Sequence, residues 1–122
     1  MISGRFGSIG ELFFDIQLVA NDGDNIPVET LLDTGFTTGW LAVDTQDAES
    51  LGWTVIDLDL TMQTARGEQF FDLYEGRILL DGQEFVIPVH AGVGIPEVLL
   101  GLQWLEVRRL VVDRPQGILT LG

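Results

Sequence analysis

Apolar residues along the chain fall into short stretches, some alternating with polar ones and some unbroken, divided by clusters of Gly, Asp, Asn and Pro. That rhythm predicts many short strands and little helix. Glu11 to Ala20 is rich in Phe, Ile and Val and closes at the polar run Asn21-Asp22-Gly23-Asp24-Asn25. Ile26 to Leu32 resumes as a strand and runs into Asp33-Thr34-Gly35, and Gly39 to Val43 is a further apolar run. Asp44 stands as the N-cap of a short helix through Leu51, ended by Gly52. Trp53 to Ile56 is extended. Leu58 to Gln63 and Gln69 to Tyr74 flank Thr64-Ala65-Arg66-Gly67, which reads as a hairpin tip. Ile78 to Leu80 and Glu84 to His90 form a second hairpin around Asp81-Gly82. Ala91 to Pro96 reads as a loop, Val98 to Leu100 as a short buried strand, and Gly101 to Val107 as a helical turn or two. Leu110 to Asp113 and Ile118 to Leu121 pair around Pro115-Gln116-Gly117. The fold class is therefore all-β, a closed or partly closed barrel with one or two short helices. Residues 1–122 fit a single domain, without repeats or linkers.

Charge narrows the partners. Lys and Arg total 6 against 19 Asp and Glu, a formal net charge of −13. Phosphate binding needs clustered cations, so nucleic acid is not an expected partner, and neither is an anionic membrane surface. No apolar stretch approaches the ~20 residues of a spanning helix. Met1 to Gly10 has no cationic start followed by an apolar run, so no secretory signal is visible and a cytoplasmic location is the default expectation. The chain has no cysteine, which excludes disulfides, thiol chemistry and Cys-based zinc sites. Its single His90 reads as a strand residue with no chemical role, and no metal or cofactor is expected. Trp40, Trp53 and Trp104 read as core residues before pocket residues.

One segment carries chemistry. The apolar strand ending in Leu31-Leu32 delivers Asp33 into a tight turn at Gly35, and Phe36-Thr37-Thr38-Gly39 leads to the next apolar run. A carboxylate at the end of a buried strand is costly unless hydrogen-bonded or functional. Gly35 lets a second backbone approach closely. The tripeptide alone is also an ordinary turn. In its setting it resembles the retroviral-type (retropepsin-like) aspartic peptidases, in particular their small prokaryotic single-domain relatives. Those carry an apolar strand, Asp-Thr-Gly, often Phe and Thr or Asn, then a second Gly and another apolar strand. A second match lies at Leu99-Leu100-Gly101, followed by Leu102-Gln103-Trp104-Leu105, where the family has two apolar residues and Gly before a short helix. The hairpin from Leu58 to Tyr74 sits where the family carries its flap, and it also reads as an ordinary surface hairpin. The resemblance covers roughly Glu11 to Leu121.

The resemblance implies an aspartic endopeptidase acting on peptide or protein substrates. This chemistry needs two facing carboxyls, one ionised to take a proton from the attacking water and one protonated to polarise the scissile carbonyl. Asp22-Gly23 and Asp81-Gly82 lack the entering apolar strand and the Thr, so the chain supplies one such Asp. The second must come from another copy across a two-fold axis, which makes a homodimer the expected assembly. Asp33, Thr34 and Gly35 are the implied catalytic residues, with Thr34 gripping the opposite subunit. Thr37, the tip residues Ala65, Arg66 and Gly67, and Leu100 are the implied substrate contacts. Phe36 is bulkier than the small residue of viral members, Thr37 and Thr38 replace their acidic pair, and the tip is poorer in Gly. The alternatives left open are a non-catalytic peptide-binding or dimerisation module with the same fold, and an unrelated small β-barrel.

Overall fold

The alternating apolar stretches form strands in the computed structural model, which describes residues 1–64 and 67–122. In chain order these are β1 (Ile2–Ser3), β2 (Arg5–Phe6), β3 (Leu12–Val19), β4 (Asn25–Leu32), β5 (Leu41–Asp44), helix α1 (Thr45–Ser50), β6 (Thr54–Thr64), β7 (Gly67–Leu80), β8 (Gln83–Gly92) and β9 (Val98–Leu100). A 3₁₀ helix (Leu102–Glu106), β10 (Leu110–Asp113) and β11 (Ile118–Leu121) complete the chain. The larger sheet runs β2-β3-β4-β9-β5-β8-β7-β6. An additional pairing of β3 with β7, Leu18 opposite Ile78, closes six of those strands into a barrel. A closed barrel removes most of the unpaired edge that an open sheet would expose. The smaller sheet runs β1-β11-β10, and Leu119 and Leu121 of β11 join the core.

Alternation along each strand turns one set of side chains inward. Phe14, Ile16 and Leu18 of β3 meet Leu41 and Val43 of β5, Ile78 and Leu80 of β7, Val89 of β8 and Leu100 of β9 in one core. Each such side chain contributes roughly 1.5–3 kcal/mol when fully withdrawn from water. Trp104 is fully buried, Trp53 nearly so, and Trp40 is half-buried with its ring edge-on to Trp104 at 4.8 Å. The indole N–H groups donate to main-chain carbonyls, Trp53 to Val19 and Trp104 to Trp40. All three are packing residues, as their apolar bulk predicts.

The structure departs from the sequence reading in a few places. The stretches 53–56 and 58–63 join into the single strand β6, which bends at two bulges between Val55 and Leu60 with Asp59 at φ 55°. The stretches 69–74 and 78–80 join into the 14-residue β7. Gly76 breaks nothing: a Cβ there would come within 2.4 Å of Val89 Cγ2 and 3.1 Å of the Trp53 ring, so close packing, not a turn, places a glycine in mid-strand. β8 continues to Gly92, two residues into the expected loop. Asp44 occupies the N-cap of α1 without capping it; its Oδ1 accepts from the Gly94 N–H at 3.4 Å and ties that helix to the 93–97 loop.

Candidate active site

β9 threads between the two strands that flank the Asp33 turn. It pairs in parallel with β4, Thr30 opposite Val98 through Leu32 opposite Leu100, and antiparallel with β5, Leu41 opposite Leu100. β4 itself is held from below by Thr30, which is fully buried and donates its hydroxyl to the Phe14 carbonyl at 2.7 Å. With Thr30 and Leu32 facing the core, alternation sends Leu31 and Asp33 to the other face. The Asp33 N–H donates to the Leu100 carbonyl at 2.9 Å, which extends the β4–β9 pairing by one bond.

The turn is then stitched locally. The Gly35 N–H donates to Asp33 Oδ1 at 2.9 Å, and the Phe36 N–H to the Asp33 carbonyl at 3.1 Å. Oδ2 of this half-buried carboxylate, which lines the cleft, has no hydrogen-bond partner among the described residues. Behind the turn, Gly101 N–H donates to the Trp40 carbonyl at 3.0 Å and Leu102 N–H to the Phe36 carbonyl at 2.9 Å. The crossing is tight enough to demand glycine: a Cβ on Gly101 would lie 1.8 Å from the Gly39 carbonyl oxygen, and one on Gly39 would lie 2.0 Å from Phe36 Cζ. The Phe36 ring therefore fills the space that two glycines leave open.

Asp33 opens into a cleft of about 660 Å³. Its floor is Leu31, Asp33, Gly35 and Leu99, one wall is Phe36, Thr37 and Thr38, and the facing side is Thr61, Met62, Gln69 and Phe71 of the β6–β7 hairpin. The loop from Val93 to Glu97 closes the remaining side. Three of the sequence-predicted residues, Asp33, Gly35 and Thr37, thus share one cleft. Thr34 is exposed and does not line the cleft. Gly67 begins β7 at φ 94°, at the hairpin end, while Ala65 and Arg66 lie outside the described residues.

Leu100 is a correction. Its side chain is fully buried in the core and does not line the cleft; its neighbour Leu99 does. On a strand, a slip of one residue exchanges the two faces, and Leu100 acts here through its main-chain carbonyl on Asp33. The sequence reading also passed over Leu31, Thr61, Met62, Gln69, Phe71 and the 93–97 loop. Stepping back by two from Asp33 would have found Leu31.

His90 touches this site indirectly. Its ring meets Phe36 and Phe71 edge-on, with centroids 5.3 and 6.0 Å away, and both phenyl rings line the cleft. Its Nδ1 is buried without a hydrogen-bond partner. Burial pushes the imidazole below its ordinary value of 6.5, because nothing replaces the water that would solvate the cation. The unfolded chain therefore takes up this proton first, and folding loses stability as pH falls below 6.5 until the folded imidazole is also protonated. Denaturant unfolding of the protein and of His90→Leu from about pH 8 to pH 5 should show the difference between them shifting toward the variant on the acid side. A difference that stays constant with pH would contradict this.

Among the described residues, no group of three His, Cys, Asp or Glu is placed to hold a metal ion, and no helix is long and apolar enough to cross a membrane. No protein-family model and no curated protein matches the sequence. Solved structures do match. A retropepsin-like aspartic protease from Rickettsia conorii superimposes with a TM-score of 0.62 at 22% identity, over 99% of this chain and 88% of that one. The EIAV protease in complex with an inhibitor gives a TM-score of 0.62 at 20% identity, over 88% of this chain and 99% of that one. With its six-stranded closed barrel, a strand threaded between the arms of the Asp33 turn and a hairpin over the cleft, the chain has the retropepsin-like fold.

Proposed function

We propose that this chain is an aspartic endopeptidase that works as a homodimer, each copy supplying Asp33 to a shared dyad. The observation that carries the reading is the position of Asp33: it sits on the floor of the cleft, beneath the β6–β7 hairpin, at the end of β4 of a retropepsin-like barrel. The two solved neighbours are aspartic proteases by name, which supports the same chemistry here.

In this reading one Asp33 is ionised and withdraws a proton from a water held between the two carboxyls, while the other donates to the scissile carbonyl. Two carboxyls in contact share one proton because like charges cannot both ionise cheaply there. The Gly35 N–H fixes Oδ1 and leaves Oδ2 for the water or the partner's acid. Exposed Thr34, outside the cleft, is available to the second copy. An extended peptide lies along the floor as an added strand, with Leu31, Leu99 and Thr37 against its side chains. The hairpin over it excludes bulk water and so strengthens the electrostatic interactions at the dyad.

The test is cleavage of a mixed peptide library between about pH 3 and pH 7, with and without a statine-type mimic of the tetrahedral intermediate. Cleavage within peptide chains, blocked by the mimic, is the expected result. A protein that stays monomeric at high concentration and cuts nothing would sink the reading.

A further inference from the structure

The cleft has a second carboxylate that the dyad does not use. Glu97 lines it from the position just before β9, is exposed, and makes no ion pair or hydrogen bond among the described residues. None of the five described arginines, at 5, 77, 108, 109 and 114, lines the cleft, so its described charge is entirely negative, Asp33 and Glu97. The chain as a whole carries a formal net charge of −13, a field that draws cations toward this opening.

Register gives the carboxylate an address. Leu32 lies opposite Leu100, so the level of Asp33 on the neighbouring strand is that of Gly101. Glu97 is four residues before it, in the bend that leads into β9, and both Glu97 and Leu99 line the cleft. Four residues span at most roughly 13 Å of extended chain, so the two acids lie within about that distance along the strand direction. A substrate strand has the same rise. A residue within four places of the scissile bond therefore reaches Glu97.

We propose that Glu97 makes this cleft selective for cationic peptides, reading an Arg or Lys within four residues of the bond that Asp33 cleaves. The proposal rests on the peptidase reading above and deepens it by naming the substrate class. In a symmetric dimer the second Glu97 reads the equivalent position on the other side.

Synthetic peptides identical except for Arg, Ala or Glu at one of the four positions on either side of the cleaved bond test it. For the protein itself, Arg at one of these positions should raise kcat/KM about five-fold over Ala, chiefly through KM, the size expected of an exposed ion pair. The preference should shrink as salt shortens the screening length. Glu97→Gln should bring the Arg-to-Ala ratio to about one, and Glu97→Lys should turn the preference toward the Glu peptide. A ratio near one in the protein itself, or an unchanged ratio in Glu97→Gln, overturns the proposal. If no peptide is cut, the peptidase reading fails, and direct binding of the same peptides still decides the role of Glu97. Tighter binding of the Arg peptide that Glu97→Gln abolishes supports it, and equal binding overturns it.

Discussion

Asp33→Asn should lower peptide hydrolysis by about 10³-fold or more while leaving the barrel folded. In the proposed homodimer one substitution alters both members of the dyad, because each would come from a copy of the same chain. An amide can neither take a proton from water at these pH values nor donate one as an acid does. Its geometry is otherwise conserved: the Asn carbonyl oxygen can accept the Gly35 N–H that Asp33 Oδ1 accepts at 2.9 Å. The backbone bond from residue 33 to the Leu100 carbonyl does not involve the side chain. The denaturant midpoint should therefore stay close to that of the parent. Peptide affinity should survive, which separates lost chemistry from lost binding. A variant that still cuts at the parental rate would place the base elsewhere.

Gly101→Ala should cost about 3 kcal/mol or more of folding stability, a large effect for one methyl group. The added carbon would meet the Gly39 carbonyl oxygen at 1.8 Å and the carbonyl carbon at 2.5 Å. These are backbone atoms, so no side-chain rotation relieves the contact. Gly39 cannot withdraw easily either, since the Phe36 ring stands where its own Cβ would go. Relief requires opening the crossing, at the expense of the bonds from Gly101 N–H to Trp40 and from Asp33 N–H to Leu100. The same substitution at Gly82, which has φ 73° and open space around it, should cost only about 1–2 kcal/mol of left-handed backbone strain. Equilibrium unfolding of both variants checks the contrast. Equal losses at the two glycines would mean that the crossing has room the structure does not show.

The parts legible in the sequence were those set by local chemistry. Asp33-Thr34-Gly35 at the end of an apolar strand, the Asp81-Gly82 hairpin and the final strand pair around residues 115–117 all stand where the turn residues and alternation put them. The features that were missed depend on partners distant in the chain. The expected interruption between Tyr74 and Ile78 is absent, and Gly76 within it is a space kept free for Trp53 and Val89. β1 and β2, two residues each, exist because β11 and β3 offer them edges, with Gly4 between them donating to the Leu119 carbonyl at 2.8 Å. The exchange of Leu99 for Leu100 came from a strand of three residues, too short for its alternation to fix which face meets the cleft. The Val93 to Glu97 loop joins the cleft only because β5 and β8 pair in parallel and carry Asp44 alongside it.

Subunit mixing tests most directly the claim that two Asp33 side chains form one site. Wild-type protein and Asp33→Asn, combined in equal amounts at fixed total concentration and allowed to exchange, would distribute at random among dimers. With a shared dyad, only pairs with two intact aspartates would hydrolyse, so activity should fall to about one quarter of that of the same total of wild-type protein. Activity near one half, unchanged from simple dilution of independent sites, would contradict the shared dyad.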